Sequence, residues 1–365
     1  MKTRKLDVVI IGGSQAGLAM GKALEKLLCG YVIIDKHSRI GDAWRQRYDS
    51  LVLFTSRQYC QLEGMSMPGI QDDYPTKDEM ADYLETYAKH FELPVKTNCT
   101  VTSLSRKAES FTVKLNNDEQ IICKAVIIAS GGFQDPLIRL ASKEDDSFIP
   151  QLTVNNYRNS TNLPKGAVLI VGDGASGRQI ALDACKTHPV ILSTGKKRNI
   201  IPQRLLNKDI FWWLDKVGIL SAKTRNPIAK LVRKRDPFPG KHLNLKKLSE
   251  KGIKIADRLT AIKDGMAQFA NGDKEPISSI VWASGYQNNT SWVDIEEAVN
   301  GNEFIHKNGV SPVAGIFYLG LPWQNCRASA LITGLQRDSQ FIAQHVGSHL
   351  SRVTPSNATT EPVIF

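Results

Sequence analysis

The chain is 365 residues long, 42% hydrophobic and 23% charged, with a formal charge of +11 at pH 7. That length suffices for a large core in about two domains, and no apolar run approaches the roughly 20 residues that a membrane-spanning helix requires. Six dispersed cysteines without a Cys-x-x-Cys pair (Cys29, Cys60, Cys99, Cys123, Cys185, Cys326) argue against a dithiol centre, an iron–sulfur cluster and a structural zinc, and read as free thiols in a reducing compartment.

Met1 to Asp7 lead directly into an apolar run, which leaves no room for a secretory signal; a cytoplasmic location is expected. Residues 6–35 predict a β-α-β unit. A strand ends in Val8-Val9-Ile10-Ile11, the turn Gly12-Gly13-Ser14-Gln15-Ala16-Gly17 follows, a helix runs from Gln15 to about Leu28, and a second strand spans Tyr31–Asp35. This strand–turn–helix setting lets a dinucleotide pyrophosphate sit on backbone N–H groups at a helix N-terminus. Asp35 closes the second strand 23 residues after Gly12, where a carboxylate accepts hydrogen bonds from an adenosine ribose. Ser14 stands where a middle glycine is usual, and its hydroxyl can itself donate to a phosphate oxygen.

Further on, Lys77–Phe91 has helical spacing with Met80, Tyr83, Leu84, Tyr87 and Phe91 on one apolar face. Short strands are predicted near Thr100–Leu104, Phe111–Leu115 and Ala125–Ala129, and Pro164-Lys165-Gly166 punctuates a domain crossing. A second unit then repeats the first: Val168-Leu169-Ile170-Val171, the turn Gly172-Asp173-Gly174-Ala175-Ser176-Gly177, a helix from Ser176 to about Lys186 and a strand Val190–Thr194. Two such turns suggest one chain holding two dinucleotides, usually for electron transfer between them.

Two strands ending in small residues, Ala125 to Gly131 and Ile280 to Gly285, look alike and return the chain between the units. The expected fold is therefore α/β, with two nested Rossmann-like dinucleotide-binding domains in a glutathione-reductase-like arrangement. Residues 1–163 and 281–365 form the first domain and 164–280 the inserted one. The polar tail from Arg352, with two prolines, belongs to no predicted element.

Charge is uneven. Lys196 to Lys254 hold 17 Lys or Arg against four acids, a surplus of +13. This segment is suited to nucleic acid, to anionic lipid, to a polyanionic cofactor or simply to water, and no nucleic-acid-binding motif accompanies it. Within it, Asp209-Ile210-Phe211-Trp212-Trp213-Leu214 reads as a cover over a substrate mouth, a membrane contact or core packing. His345 and His349 lie one helical turn apart with no third ligand in sight, so no metal is expected.

The run Gly41-Asp42-Ala43-Trp44-Arg45-Gln46-Arg47-Tyr48-Asp49-Ser50-Leu51 resembles the flavin-contacting segment of class B flavin-dependent monooxygenases. Gln58-Tyr59-Cys60-Gln61-Leu62, Tyr74-Pro75-Thr76-Lys77, Asn155-Asn156-Tyr157-Arg158-Asn159 and Gly320-Leu321-Pro322-Trp323 are similar to the plant YUCCA-type branch. The resemblance spans about residues 6 to 350 and extends to a bacterial flavoprotein monooxygenase group. It implies FAD in the first turn and NADPH, with NADH tolerated, in the second. Hydride would pass to the flavin, and the reduced flavin with O2 would oxygenate a small organic substrate. The cofactor-binding residues so expected are Gly12, Gly13, Ser14, Gln15, Ala16, Gly17, Asp35, Lys36, Ala43, Trp44, Val101, Ser130, Gly172, Gly174, Ala175, Ser176, Gly177, Lys196, Lys197, Ser284, Gly285 and Gly320. Lys196-Lys197-Arg198 suit the 2′-phosphate of NADPH, with solvated strand-end charge as the alternative.

The chain departs from the family at two places. Phe54, followed by Thr55, occupies the place of an asparagine expected beside the reacting flavin, and Thr153 that of a histidine. Phe54 and Thr55 are the expected catalytic positions, and phenylalanine cannot donate a hydrogen bond. Three readings follow: a monooxygenase, an NAD(P)H:acceptor oxidoreductase or oxidase, and a flavoprotein redox partner of a membrane transporter. Either a monomer or a homodimer fits.

Overall fold

The computed structural model describes residues 2–139, 149–195, 197, 199–235, 237–240 and 243–353. In chain order, the elements that place the site begin with β1 (Lys2–Ile11), α1 (Gln15–Leu24), β2 (Tyr31–Ile34), α2 (Asp42–Arg45) and α3 (Lys77–His90). Strands β3 (Val95–Lys96), β4 (Val101–Lys107), β5 (Ser110–Leu115) and β6 (Glu119–Ile128) follow. The second unit contributes β7 (Gln151–Thr153), β8 (Val168–Val171), α4 (Ala175–Ala184), β9 (Val190–Ser193), α5 (Ile210–Lys216), α6 (Pro227–Arg235), β10 (Lys254–Ala256) and β11 (Ser279–Trp282). The chain returns through β12 (Val293–Asp294) and β13 (Ile316–Tyr318) to the long helix α7 (Leu335–Val353).

Two sheets result. The larger runs β12-β4-β5-β6-β1-β2-β3, with β13 beside β6, and is parallel at its centre, where β1 pairs with both β2 and β6. The smaller, β10-β9-β8-β11-β7, is parallel throughout. A parallel sheet is buried on both faces, so its strands are continuous apolar runs rather than alternating ones. Val8, Val9 and Ile10 in β1 and Val168, Leu169 and Ile170 in β8 accordingly have no exposed surface.

Helix α1 packs between the larger sheet and α7, and its small residues Ala16, Gly17, Ala19, Gly21 and Ala23 permit that approach. Its predicted end near Leu28 is replaced by a tighter 3₁₀ turn over Glu25–Leu27, closed by Leu28 in the left-handed region. Helix α3 starts where the sequence indicates, because Thr76 and Glu79 form a reciprocal capping box. The chain enters the smaller sheet at Gln151, ahead of Pro164, and leaves it after Trp282. Apolar clusters fill both faces of both sheets, and a fifth, built on Tyr59, Ile210, Phe211, Leu220 and Leu331, joins segments from the two units.

Candidate functional site

The two glycine turns are built alike. Gly12 and Gly172 adopt φ of 111° and 108°, in the region that favours glycine. A Cβ at Gly12 would stand 2.6 Å from the Ala129 carbonyl oxygen, and one at Gly172 would fall on that of Ala283. Ala129 and Ala283 begin the two small-residue tails noted in the sequence, which follow the strands neighbouring β1 and β8. A Cβ at Gly17 would overlap the Gly12 carbonyl, and one at Gly177 the Gly172 carbonyl. Ser14 and Gly174 precede α1 and α4 in extended conformation, and no side chain caps either helix. The first-turn N–H groups are therefore left to a ligand, which is the physical requirement of an anion cradle.

The surroundings of the cradles differ. In the first, buried Asp35 accepts from the Gly13 backbone N–H at 2.6 Å through Oδ2, and from both the backbone N–H and Nδ1 of His37 at 2.8 Å through Oδ1. Burial pushes this carboxyl up, but the hydrogen bonds from His37 and Gly13 outweigh it and hold the group below the usual aspartate value. Lys36 beside it is exposed.

In the second cradle the carboxylate sits on the turn itself. Asp173 replaces Gly13 in the pattern and pairs with Arg178, whose Nη2 donates to Oδ2 at 2.9 Å. Arg178 is 1% exposed; its Nε donates to the Asp173 carbonyl and its Nη1 to that of Leu243, both at 2.7 Å. Thr194 and Gly195 follow β9 without a carboxylate. Sequence reasoning passed over Asp173 and Arg178; the signal was an acid and a base five residues apart within a fingerprint of small residues. Lys197 is exposed, and Lys196 and Arg198 lie outside the described residues.

One short segment laces the cradles together. Trp44 Nε1 donates to Gln15 Oε1 of the first turn at 3.0 Å. Four residues later the Tyr48 hydroxyl donates to Gln179 Oε1 on α4 at 2.7 Å, and Gln179 Nε2 donates back to the Val52 carbonyl at 3.0 Å. Arg47 Nη1 reaches Asn155 Oδ1 and the Tyr286 hydroxyl at 2.9 and 2.7 Å, and Arg158 donates to the carbonyls of Arg45 and Arg47. Ala43 lies within the same segment, in α2.

Other expected contacts are dispersed around this centre. A Cβ on Gly320 would stand 3.0 Å from the Ala16 Cβ, which brings the C-terminal segment against the first turn. Ser130 Oγ accepts from Gln134 Nε2 at 2.9 Å, and the Ser284 hydroxyl donates to the Leu137 carbonyl. Gly285 adopts φ of 102° with open space where a Cβ would stand. Ala175 and Ser176 open α4, and Val101 opens β4, opposite Leu115.

Phe54 and Thr55 part company. The Phe54 ring lies 6.0 Å from that of Phe211, at an interplanar angle of 29°. Thr55 is buried, and its hydroxyl engages Cys60 Sγ at 3.0 Å. Next to them, the Ser56 backbone N–H donates to Asp209 Oδ2 at 2.7 Å, and Oδ1 of this fully buried carboxylate accepts from the Phe211 N–H, capping α5. Ile210 and Phe211 are thus core, which decides part of the reading of the aromatic run. A polar cavity of about 340 Å³ opens between Gln58–Ser66 and the start of α7, and Gln61 Oε1 is buried without a partner. Among the described residues no group of three His, Cys, Asp or Glu is gathered; His345 and His349 bond the carbonyls of Phe341 and Lys124.

Paired cradles on parallel sheets define a two-dinucleotide oxidoreductase architecture. The chain belongs to the pyridine nucleotide-disulphide oxidoreductase family, whose model matches residues 9–320, within a group similar to class B flavoprotein monooxygenases. It is 40% identical to a CzcO-like oxidoreductase of Geobacillus kaustophilus over 94% of this chain and 99% of that one. It is 25% identical to the probable indole-3-pyruvate monooxygenase YUCCA8 of Arabidopsis thaliana, over 93% and 88%. A flavin-containing monooxygenase from Stenotrophomonas maltophilia shares the fold, with a TM-score of 0.79 at 22% identity over 95% and 99%.

Proposed function

We propose that the protein is an FAD- and NADPH-dependent monooxygenase of a small organic molecule such as a sulfide, amine, ketone or 2-oxo acid. The observation that carries this reading is the lacing of both cradles by Trp44 and Tyr48, four residues apart. Two nucleotides seated there would face each other across one rigid segment.

The residues fit the cofactors. Gly12 and Gly17 let the first turn close tightly on its own backbone and on Ala129, which presents the uncapped N–H groups of α1 to a pyrophosphate, and Asp35 is held ionised for a ribose. Gly172 and Gly177 close the second turn in the same way, and the uncapped start of α4 offers its N–H groups to the nicotinamide nucleotide. A carboxylate at the end of β9 would repel a 2′-phosphate; its absence there, with Lys197 close by, favours NADPH. When bound, FAD accepts hydride and reacts in reduced form with O2. This chain's part is to bind, orient and exclude water. Overall, substrate, O2, NADPH and a proton give oxygenated substrate, NADP⁺ and water. In the same reading, residues 1–163 with 281–365 hold FAD and 164–280 hold NADPH.

A second reading, an NAD(P)H oxidase or acceptor reductase, is favoured by Phe54. Its ring lies against Phe211 and offers no hydrogen-bond donor where the family resemblance implies asparagine. The experiment is direct: incubate the flavin-loaded protein with NADPH, O2 and a panel of the four substrate classes, then measure oxygenated product and hydrogen peroxide. Product formed in proportion to NADPH supports the first reading. Peroxide alone across the panel supports the second.

A further inference from the structure

The hairpin before α5 and the residue that follows α5 carry exposed apolar side chains beside cations. A hairpin pairs Arg204 with Asp209 and Leu205 with Lys208, so Leu206 and Asn207 form its two-residue turn. Both are left-handed, with φ of 48° and 59°. Such turns favour asparagine or glycine, and a leucine there carries a steric cost. Leu206 is nonetheless 79% exposed, with Leu205 beside it at 45%.

Trp213 Nε1 donates to the Leu205 carbonyl at 2.9 Å, which lays the indole along the hairpin. Val217, four residues further and so on the same helical side, is 66% exposed. Phe211, Trp212 and Leu214 turn inward to the aromatic cluster, and Trp213 does not. Helix α6 repeats the pattern: Ile228 and Leu231 are about half exposed, among exposed Lys230, Arg233, Lys234 and Arg235. A leucine in a costly conformation, a half-buried tryptophan laid along its hairpin and exposed aliphatics among lysines are features of a surface that meets lipid.

Charge identifies the occupant. Segment 196–254 carries +13, so a second copy of the chain would bring like charge against like charge. Nucleic acid would engage the cations but gain nothing from Leu206 or Val217. We propose that this face docks reversibly on an anionic lipid bilayer, with Leu205, Leu206, Trp213 and Val217 entering the headgroup boundary and Lys216, Lys230 and Lys234 meeting lipid phosphates. The proposal is independent of the reaction. On its inner side, α5 sets Phe211 against Phe54, so the docked face lies one helix away from that residue.

The test is co-sedimentation of the full, flavin-loaded chain with vesicles of about one-third phosphatidylglycerol in phosphatidylcholine. Binding is expected to fall roughly tenfold or more on phosphatidylcholine alone, in about 0.5 M salt, and in the Leu206→Ser/Val217→Ser variant. A Lys216→Glu/Lys230→Glu variant should lose binding too, with flavin content and melting temperature of both variants unchanged. Equal binding of the serine variant, or no binding by the parent chain, overturns the proposal. So does a dimer in gel filtration that the serine variant dissociates, or duplex DNA binding that displaces the vesicles and ignores the serine changes.

Discussion

Tyr48 and Gln179 meet at 2.7 Å across 131 residues of chain, joining the segment beside the first cradle to the helix of the second. The Gln179 amide completes the link by donating to the Val52 carbonyl, so removing either partner breaks the bridge between this segment and α4. Tyr48→Phe and Gln179→Ala should each slow flavin reduction by NADPH about five- to tenfold, matching a loss of about 1 kcal/mol. Flavin content should be unchanged. Anaerobic stopped-flow reduction measures the rate, and an unaltered rate would show that this bond does not orient the nucleotides.

The cradles predict sharp steric sensitivity. A Cβ at Gly17 overlaps the Gly12 carbonyl, and neither atom belongs to a flexible side chain. Gly17→Val should purify colourless and stay so after incubation with FAD, while Gly177→Val should keep its colour and lose NADPH-dependent bleaching. Yellow Gly17→Val protein would refute the assignment of the first cradle.

Asp35 ties stability to pH. Its folded-state carboxyl lies below the ordinary aspartate value, so the stabilisation it contributes is present at neutral pH and is lost as pH falls through the folded value. Melting temperature should drop on acidification below about pH 4. The drop should be shallower in Asp35→Asn, which cannot titrate. Identical acid limbs for the two proteins would place the titrating groups elsewhere.

Arg178 and Asp173 form a buried pair, and removing one partner strands the other's charge. Arg178→Met should destabilise the protein by about 3–5 kcal/mol, while Asp173→Asn/Arg178→Met recovers a large part of this. Urea unfolding measures both. At the neighbouring strand end, removing the Lys196 and Lys197 charges should raise KM for NADPH more than for NADH; equal effects would return these lysines to solvated surface.

Phe54 offers a gain-of-function test. Phe54→Asn adds a donor beside the aromatic cluster, and the proposed function predicts more product and less peroxide per NADPH consumed. An unchanged ratio would mean that Phe54 does not adjoin the reacting flavin.

Much of this was legible in the residues. The β-α-β units around Gly12 and Gly172 and the similarity of the tails after Ala129 and Ala283 could all be read in advance. A fingerprint is local chemistry: the strand, the turn and the helix start lie within about twenty residues, and each depends on backbone freedom at particular glycines. The finer endings were less legible. Helix α1 stops at Leu24 because its last turn tightens, a balance that neither periodicity nor propensity resolves.

By itself, then, the sequence determined that two dinucleotide cradles on apolar parallel strands share one chain, and which family that chain belongs to. Only the tertiary structure decided that Tyr48 reaches Gln179, that Ser56 meets Asp209 across 153 residues, and that Arg178 is spent inside the protein on Asp173 and Leu243. It also decided that Phe211 enters the core while Trp213 bonds the Leu205 carbonyl of the hairpin. The physical reason is range. Backbone geometry at a glycine is set by its neighbours in sequence, whereas partners for a buried hydroxyl, carboxylate or guanidinium are supplied by whichever distant segment packing brings within about 3 Å.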